Sequence, residues 1–151
     1  MTSLVLAILI QAVPAAQPKD FAEAYKRSEA SGRPLLILVG ADWCPSCRVM
    51  KDSVLPKLAK GDALSKLEYA YVDKDRQPEL CRHLLRGRSL PQLIYCQKTA
   101  SGWKSLHLLG KQTAKGVTRF IARSQNAFVV RLTKRAKKST ARKPKAKTQQ
   151  R

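Results

Sequence analysis

Cys44-Pro45-Ser46-Cys47 places two thiols one helical turn apart, directly after a buried apolar run. The run Leu35–Val39 predicts a central β-strand, and the residues after it predict a helix that opens at the first thiol. Free N–H groups and the helix dipole at such a helix N-terminus stabilise a thiolate. Because the thiolate attacks disulfides, the pattern indicates a redox pair, with Cys44 as nucleophile and Cys47 as resolving thiol. Zinc sites and static disulfides share this spacing, so the motif alone leaves both open.

Strand and helix patterns alternate along the rest of the chain and predict an α/β fold. The predicted strands are 34–39, 68–73, 91–96 and 103–109. The predicted helices are Asp20–Ala30, one from Cys44 with the buried stripe Cys47, Met50, Val54 and Leu58, one from Pro78, and one capped by Thr113. Pro56 should kink or end the second of these helices. The order of βα units, hairpin and helix predicts a mixed central β-sheet flanked by helices.

Three segments together resemble the thioredoxin family, over roughly Asp20 to Ser124. They are Ala41-Asp42-Trp43-Cys44-Pro45-Ser46-Cys47, Val72-Asp73 and Leu90-Pro91. The first segment, with Arg48 after it, is most similar to bacterial extracytoplasmic thioredoxin-like domains. The resemblance implies a thioredoxin-like fold and thiol–disulfide exchange with protein substrates.

The resemblance also implies three substrate-binding residues beside the thiols. Pro91 matches the family's loop proline, which is cis and packs beside the disulfide. Leu90, just before it, would pair its backbone with an extended substrate by strand-like addition. Trp43 matches the tryptophan that offers a flat surface to substrate next to the first thiol.

Three departures from the family's pattern bear on the chemistry. Leu38 stands six residues before the first cysteine, where thioredoxins often place a buried acid that shuttles a proton. Asp52 stands where they carry a helix-kinking proline. The central dipeptide is Pro45-Ser46 rather than Gly-Pro, and the central residues set how many N–H donors face the first sulfur. The direction of exchange, reductase or oxidase, therefore stays open.

The charged residues around the motif give no single prediction. Asp42 and Arg48 flank the thiols and act on a thiolate with opposite sign. Asp73 ends a predicted strand, so it either lines the site, as the family's strand-end acid does, or is a turn residue.

Two further cysteines lie outside the motif. Cys81 and Cys96 are read as small buried hydrophobes, with a second disulfide as an alternative. A zinc site from Cys44, Cys47, Cys81 and His83 is conceivable, but the first two already have a role. His83 and His107 show no ligand spacing and are interpreted as structural or surface residues. We expect neither a metal nor a cofactor.

The N-terminus has the pattern of an export signal. The apolar run at residues 4–10 is too short to span a bilayer, and small residues around Pro14 follow it. Residues 1–16 are therefore predicted to be a signal peptide, which implies a periplasmic or otherwise exported protein. A buried N-terminal strand in a cytoplasmic protein is the alternative, since neither Lys nor Arg precedes the run.

The formal net charge of +20 is concentrated at the C-terminus. Residues 131–151 hold ten Lys or Arg and no Asp or Glu, so they are predicted to be a basic disordered tail. The thioredoxin-like domain is assigned to residues 17–130. The tail fits an anionic surface or polyanion. It contains no aromatic residue for base stacking, so we expect no sequence-specific nucleic-acid binding.

These observations favour a thiol–disulfide oxidoreductase that acts through Cys44 and Cys47. Its partners would be protein disulfide or dithiol substrates and a redox partner that the sequence does not identify. The alternative is a non-catalytic thioredoxin-like binding protein, with a structural disulfide, that its basic tail tethers to an anionic surface.

Overall fold

The computed structural model describes residues 20–140, with the side chains of residues 20–129. Within this part of the chain, strands and helices alternate as predicted. The elements are α1 (Phe21–Ser31), β1 (Leu35–Gly40), α2 (Pro45–Val49), a π-helical segment (Met50–Val54), α3 (Leu55–Lys60), β2 (Glu68–Asp73), α4 (Pro78–Leu84), β3 (Gln92–Thr99), β4 (Gly102–Leu109) and α5 (Ala114–Thr140).

The four strands form one mixed sheet in the order β2-β1-β3-β4. β1 runs parallel to β2, with Gly40 opposite Asp73, so both strands end at the same edge. β3 runs antiparallel to β1 and to β4. The predicted α/β class and thioredoxin-like architecture are confirmed, and the parallel pair brings the ends of β1 and β2 together beside the cysteine motif.

Both faces of the sheet are covered, which explains why β1 is apolar at every position. Leu36 and Leu38 point into a core shared with Met50, α3 and α5. Leu35, Ile37 and Val39 point into a second core, shared with α1 and α4. Alternate side chains of a strand face opposite sides of the sheet, so one five-residue run supplies both cores.

The helix that follows the cysteines contains a π-helical segment, which corrects the predicted stripe. Cys47, Met50 and Leu58 are buried as expected, but Leu55 is fully buried in the place predicted for Val54. A π turn takes one extra residue, so it advances the buried stripe by one position. Pro56 then lies in the first turn of α3, where its missing N–H costs little, and the helix continues to Lys60.

α5 extends further than the sequence pattern indicated. Thr113 caps it as predicted, since its Oγ1 accepts from the Gly116 N–H at 3.1 Å. The helix continues to Thr140, so it includes residues 131–140, the first ten of the predicted disordered tail. Lys, Arg, Ala and Leu are strong helix formers, and extending a helix costs much less than nucleating one.

The remaining terminal predictions lie outside the described residues. These predictions are the signal peptide, which lies within residues 1–19, and the end of the basic tail, residues 141–151. Among the described helices, none has the length and apolar character that crossing a membrane requires.

Candidate active site

The two motif cysteines lie at the junction of β1 and α2 and form a disulfide. Cys44 is the N-cap of α2, and its Sγ accepts a hydrogen bond from the backbone N–H of Cys47 at 3.3 Å. Pro45 occupies the first helical position, where its ring suits the backbone. The Cα atoms of the two cysteines are 5.2 Å apart. A helix N–H therefore points at the Cys44 sulfur, where it would stabilise a thiolate.

The two sulfurs differ in access to solvent. Cys44 is 7% exposed and Cys47 is 1% exposed, and both pack with Ala41 and Leu90. Pro45 and Ser46 lie outside this cluster and contact solvent. An incoming sulfur can therefore reach Cys44 with less rearrangement than it needs to reach Cys47.

Gly40, which the sequence analysis did not single out, gives Cys47 its space. A Cβ on Gly40 would lie 2.9 Å from the Cβ of Cys47 and 3.3 Å from its Sγ. It would also lie 3.2 Å from the Tyr71 ring. The 2.9 Å contact is shorter than real Cβ atoms adopt, so a side chain at the end of β1 would force α2 to shift away from it. The requirement depends on packing between two elements and leaves no local signal in the sequence.

The Leu90–Pro91 peptide bond is cis, as the family resemblance implied. Leu90 packs against the cysteine cluster. Within residues 20–140, the backbone N–H and C=O of Leu90 form no hydrogen bond. These groups are therefore available to an extended chain beside the disulfide.

Gln92 holds the loop that leads to Leu90, a role that sequence reasoning missed. Its side chain is fully buried. The Oε1 atom accepts from the Arg86 N–H at 3.1 Å, and Nε2 donates to the carbonyls of Arg86 at 2.8 Å and Ser89 at 3.0 Å. The only sequence signal for it is a polar residue placed directly before the apolar run Leu93–Cys96.

Trp43 lies on the surface next to Cys44, and the loop after β2 fixes its orientation. The side chain is 65% exposed. Its indole N–H donates to Asp75 at 2.7 Å. Asp42 forms an ion pair with Arg76 of the same loop at 3.3 Å. The exposed Trp43 ring therefore offers a flat apolar surface beside the thiol, with its polar edge already bonded.

Asp73 acts as a turn residue at the end of β2. It is buried, and its Oδ1 accepts from the N–H groups of Asp75 at 2.9 Å and Arg76 at 3.1 Å. Tyr71 donates its hydroxyl to Oδ2 of Asp73 at 3.4 Å. Burial, more than the nearby Asp73, raises the pKa of Tyr71 to about 12. The position where thioredoxins often place a proton-shuttling acid holds Leu38, which is fully buried.

The two other cysteines are unpaired and lie away from the motif. Cys81 is buried on α4, and Cys96 is partly buried on β3. Burial raises the pKa of both thiols, to about 11 for Cys96. Across residues 20–140, no three His, Cys, Asp or Glu side chains cluster closely enough to hold a metal ion.

Comparison with known proteins agrees with this geometry. A profile of the thioredoxin-like family matches residues 15–91, just over half of the chain. Chloroplastic thioredoxin z is similar in structure, with a TM-score of 0.60, 18% identity, and coverage of 77% of this chain and 99% of that one. A thioredoxin from Thermus thermophilus has a TM-score of 0.60 and 22% identity, and the match covers 76% of this chain and 88% of that one. Trxlp from Edwardsiella tarda has a TM-score of 0.53 and 26% identity, and the match covers 69% of this chain and 95% of that one.

No curated protein sequence matches the chain. The structural neighbours share the sheet and its flanking helices, and the profile covers β1, the cysteine pair and the Leu90–Pro91 bond. The chain therefore belongs to the thioredoxin-like family.

Proposed function

We propose that the protein is a thiol–disulfide oxidoreductase that exchanges disulfides with protein substrates through Cys44 and Cys47. The observation that carries this proposal is the cysteine pair itself. Its more accessible sulfur accepts a helix N–H, and it lies beside the unpaired backbone groups of Leu90. The family supports the chemistry, and the exposed Trp43 ring supports a protein as substrate.

In the reducing direction, the Cys44 thiolate attacks one sulfur of a substrate disulfide. A mixed disulfide forms, and the other substrate sulfur leaves as a thiolate that takes a proton. Cys47 then loses its proton and attacks the Cys44 sulfur, which releases the second substrate thiol. The substrate gains two electrons and two protons, and the pair Cys44–Cys47 becomes a disulfide. The reverse sequence oxidises a substrate dithiol.

Substrate contacts are assigned to Trp43, Leu90 and Pro91. An extended segment that pairs with the Leu90 backbone would hold its sulfur over Cys44 while its neighbouring side chain covers the Trp43 ring. Position 38, where thioredoxins often place the proton-accepting acid, holds the buried Leu38 and cannot receive the Cys47 proton. We infer that the proton passes to solvent or to the departing substrate thiolate.

Trapping variants test the two sulfur roles, with insulin as substrate and dithiothreitol as electron source. Cys44→Ser should abolish insulin reduction. Cys47→Ser should still attack but not release, so mixed disulfides accumulate on Cys44 and are visible by mass spectrometry. Cys81→Ser is the matched control and should behave as wild type. A Cys47→Ser variant that traps no adduct would refute the assignment and favour the non-catalytic binding protein.

The direction of exchange is decided by the reduction potential of the cysteine pair. Equilibration with glutathione redox buffers, followed by alkylation and mass analysis, measures it. A potential near −270 mV, as in thioredoxin, would indicate a reductase, and one near −120 mV an oxidase.

We further propose that the protein is exported and that its basic C-terminus contacts an anionic surface. The support is the apolar run at residues 4–10 and the ten basic residues from 131 onward. Mass spectrometry of protein from its native host should find a mature N-terminus at Ala16 or Gln17. An intact Met1 or Thr2 in a cytoplasmic fraction would reject export.

A further inference from the structure

A second concave site lies on the sheet face that carries α1 and α4, away from the cysteine pair. Its volume is about 280 Å3. This is close to the lower end of ligand pockets, which span roughly 300–1,000 Å3. None of the residues that line it belongs to the cluster of Ala41, Cys44, Cys47 and Leu90. We call it the β4 cleft.

The strand register explains why the β4 cleft exists. Ile94 lies opposite His107 and Cys96 opposite Ser105, so these side chains share one face and form the floor. α1 packs mainly on β1 and β2, and the cleft lies between the Tyr25–Trp103 contact and the end of α4.

Apolar side chains form the two walls. The last turn of α4 and the residue after it supply Leu84 and Leu85 on one side. Trp103 closes the other side, and its ring is held by Tyr25 of α1 with centroids 5.2 Å apart. The cleft can therefore accept an apolar group of limited size.

All charged residues that line the β4 cleft are basic. Arg86 is the permanent cation on this face, His83 and His107 are titratable, and neither Asp nor Glu lines the cleft. Lys104 contributes to the rim, but it alternates with Trp103 and Ser105 and so points to the other face of β4. Arg86 and His107 line the cleft together. Burial, and to a lesser extent Arg86, lowers the pKa of His107. The nearby Glu29 interacts with Trp103 and pairs with Lys98 at 2.9 Å. Arg86 therefore supplies positive charge on the α4 side of the recess, where it complements an anion.

His107 also has unused hydrogen-bonding capacity. Its Nε2 lies 3.3 Å from the Ser105 hydroxyl, whereas its buried Nδ1 has no partner among the described residues. Most buried polar atoms in proteins are hydrogen-bonded, so an unpaired one suggests a missing partner. The torsion that turns the ring has broad wells, so a modest rotation would present the Nδ1 atom to a bound group.

We propose that the β4 cleft binds a small organic anion with an apolar body, such as an arylalkyl carboxylate. The apolar body lies between Leu85 and Trp103, and the carboxylate faces Arg86 and His107. This site is separate from the redox pair and does not depend on the proposed oxidoreductase activity.

The alkylation rate of Cys96 measures whether the cleft is occupied, because Cys96 lines the cleft and is the most accessible free thiol. In the oxidised protein Cys44 and Cys47 are blocked, and Cys81 is 2% exposed. Iodoacetamide at about pH 9 should therefore label Cys96 first. The full-length oxidised protein is alkylated with and without 3-phenylpropanoate at millimolar concentrations, and mass spectrometry gives the labelling rate. We expect the carboxylate to slow labelling in a saturable way.

Two comparison ligands separate charge from apolar contact. The neutral amide of the same acid and inorganic phosphate should both protect Cys96 much less than the carboxylate does. Equal protection by the amide would overturn the role of charge, and equal protection by phosphate would overturn the apolar part of the site. Absence of protection by all three would overturn the proposal as a whole.

Two variants then locate the charge. Arg86→Gln should weaken carboxylate binding about tenfold, which corresponds to about 1.4 kcal/mol. Arg119→Gln is the matched control, since Arg119 is exposed on α5, which packs on the opposite sheet face. The Arg119→Gln substitution removes the same charge from the protein and should leave the Kd for 3-phenylpropanoate unchanged. Equal weakening by both variants would assign the effect to net charge and refute the site.

Discussion

Replacing Gln92 with leucine should detach the loop that precedes Leu90 while the sheet stays folded. The change removes three hydrogen bonds, one to the N–H of Arg86 and two to the carbonyls of Arg86 and Ser89. Each bond contributes roughly 0.5–1.5 kcal/mol net. Residues 86–89 are exposed, so water replaces part of the loss, and leucine keeps the buried volume. We expect about 2 kcal/mol of lost stability, or a Tm lower by about 7 °C.

The Gln92→Leu substitution should also weaken insulin binding, by more than its loss of stability explains. At a temperature where the Gln92→Leu variant is fully folded, the KM for insulin should rise several-fold, because the Leu90 backbone no longer holds one position. Alkylation of reduced Cys44 by iodoacetamide should keep its wild-type rate, since a small reagent needs no contact with the loop.

Gln97→Leu is the matched control for this prediction. Gln97 is on the same strand, accepts one hydrogen bond from the Tyr95 hydroxyl at 3.3 Å, and lies towards the end of β3 away from the motif. It should leave the KM unchanged. A Gln92→Leu variant with a wild-type KM would show that the loop keeps its position without this amide, and the reasoning would be wrong.

Two other predictions concern packing at the thiols and the C-terminal helix. Gly40→Ala should cost about 1–3 kcal/mol, because the new Cβ lies 2.9 Å from the Cβ of Cys47, and it should change the rate of disulfide reduction. Urea unfolding and dithiothreitol kinetics measure this, and unchanged values would contradict the close approach. Truncation after Leu132 should leave insulin reduction nearly unchanged, because Phe128 is the last buried residue described in α5. The same truncation should abolish the salt-sensitive part of binding to anionic vesicles. Loss of insulin reduction would instead place the removed residues in the fold.

The sequence predicted features that depend on local pattern. The run Leu35–Val39 and the cysteine spacing define β1 and the start of α2, because a continuous apolar run and a helix cap are properties of neighbouring residues. The roles of Gly40 and Gln92 come from contacts between elements far apart in the chain, so no local pattern revealed them. The π-helical segment was not predicted for a related reason. A single extra residue in one turn moves the buried position from Val54 to Leu55, and the amino-acid composition carries no sign of it.

The length of α5 sets a distance as well as an anchor point. From Phe128 to Thr140 the helix rises about 18 Å, at 1.5 Å per residue. A helix of this kind acts as a semi-rigid spacer, so a surface bound at Thr140 would lie about that far from Phe128 along the helix axis. Each inserted residue would also rotate the far end by about 100°. In the proposed contact with an anionic surface, insertions of one or two alanines after Leu132 would therefore turn the held end relative to Cys44 without altering the thiol.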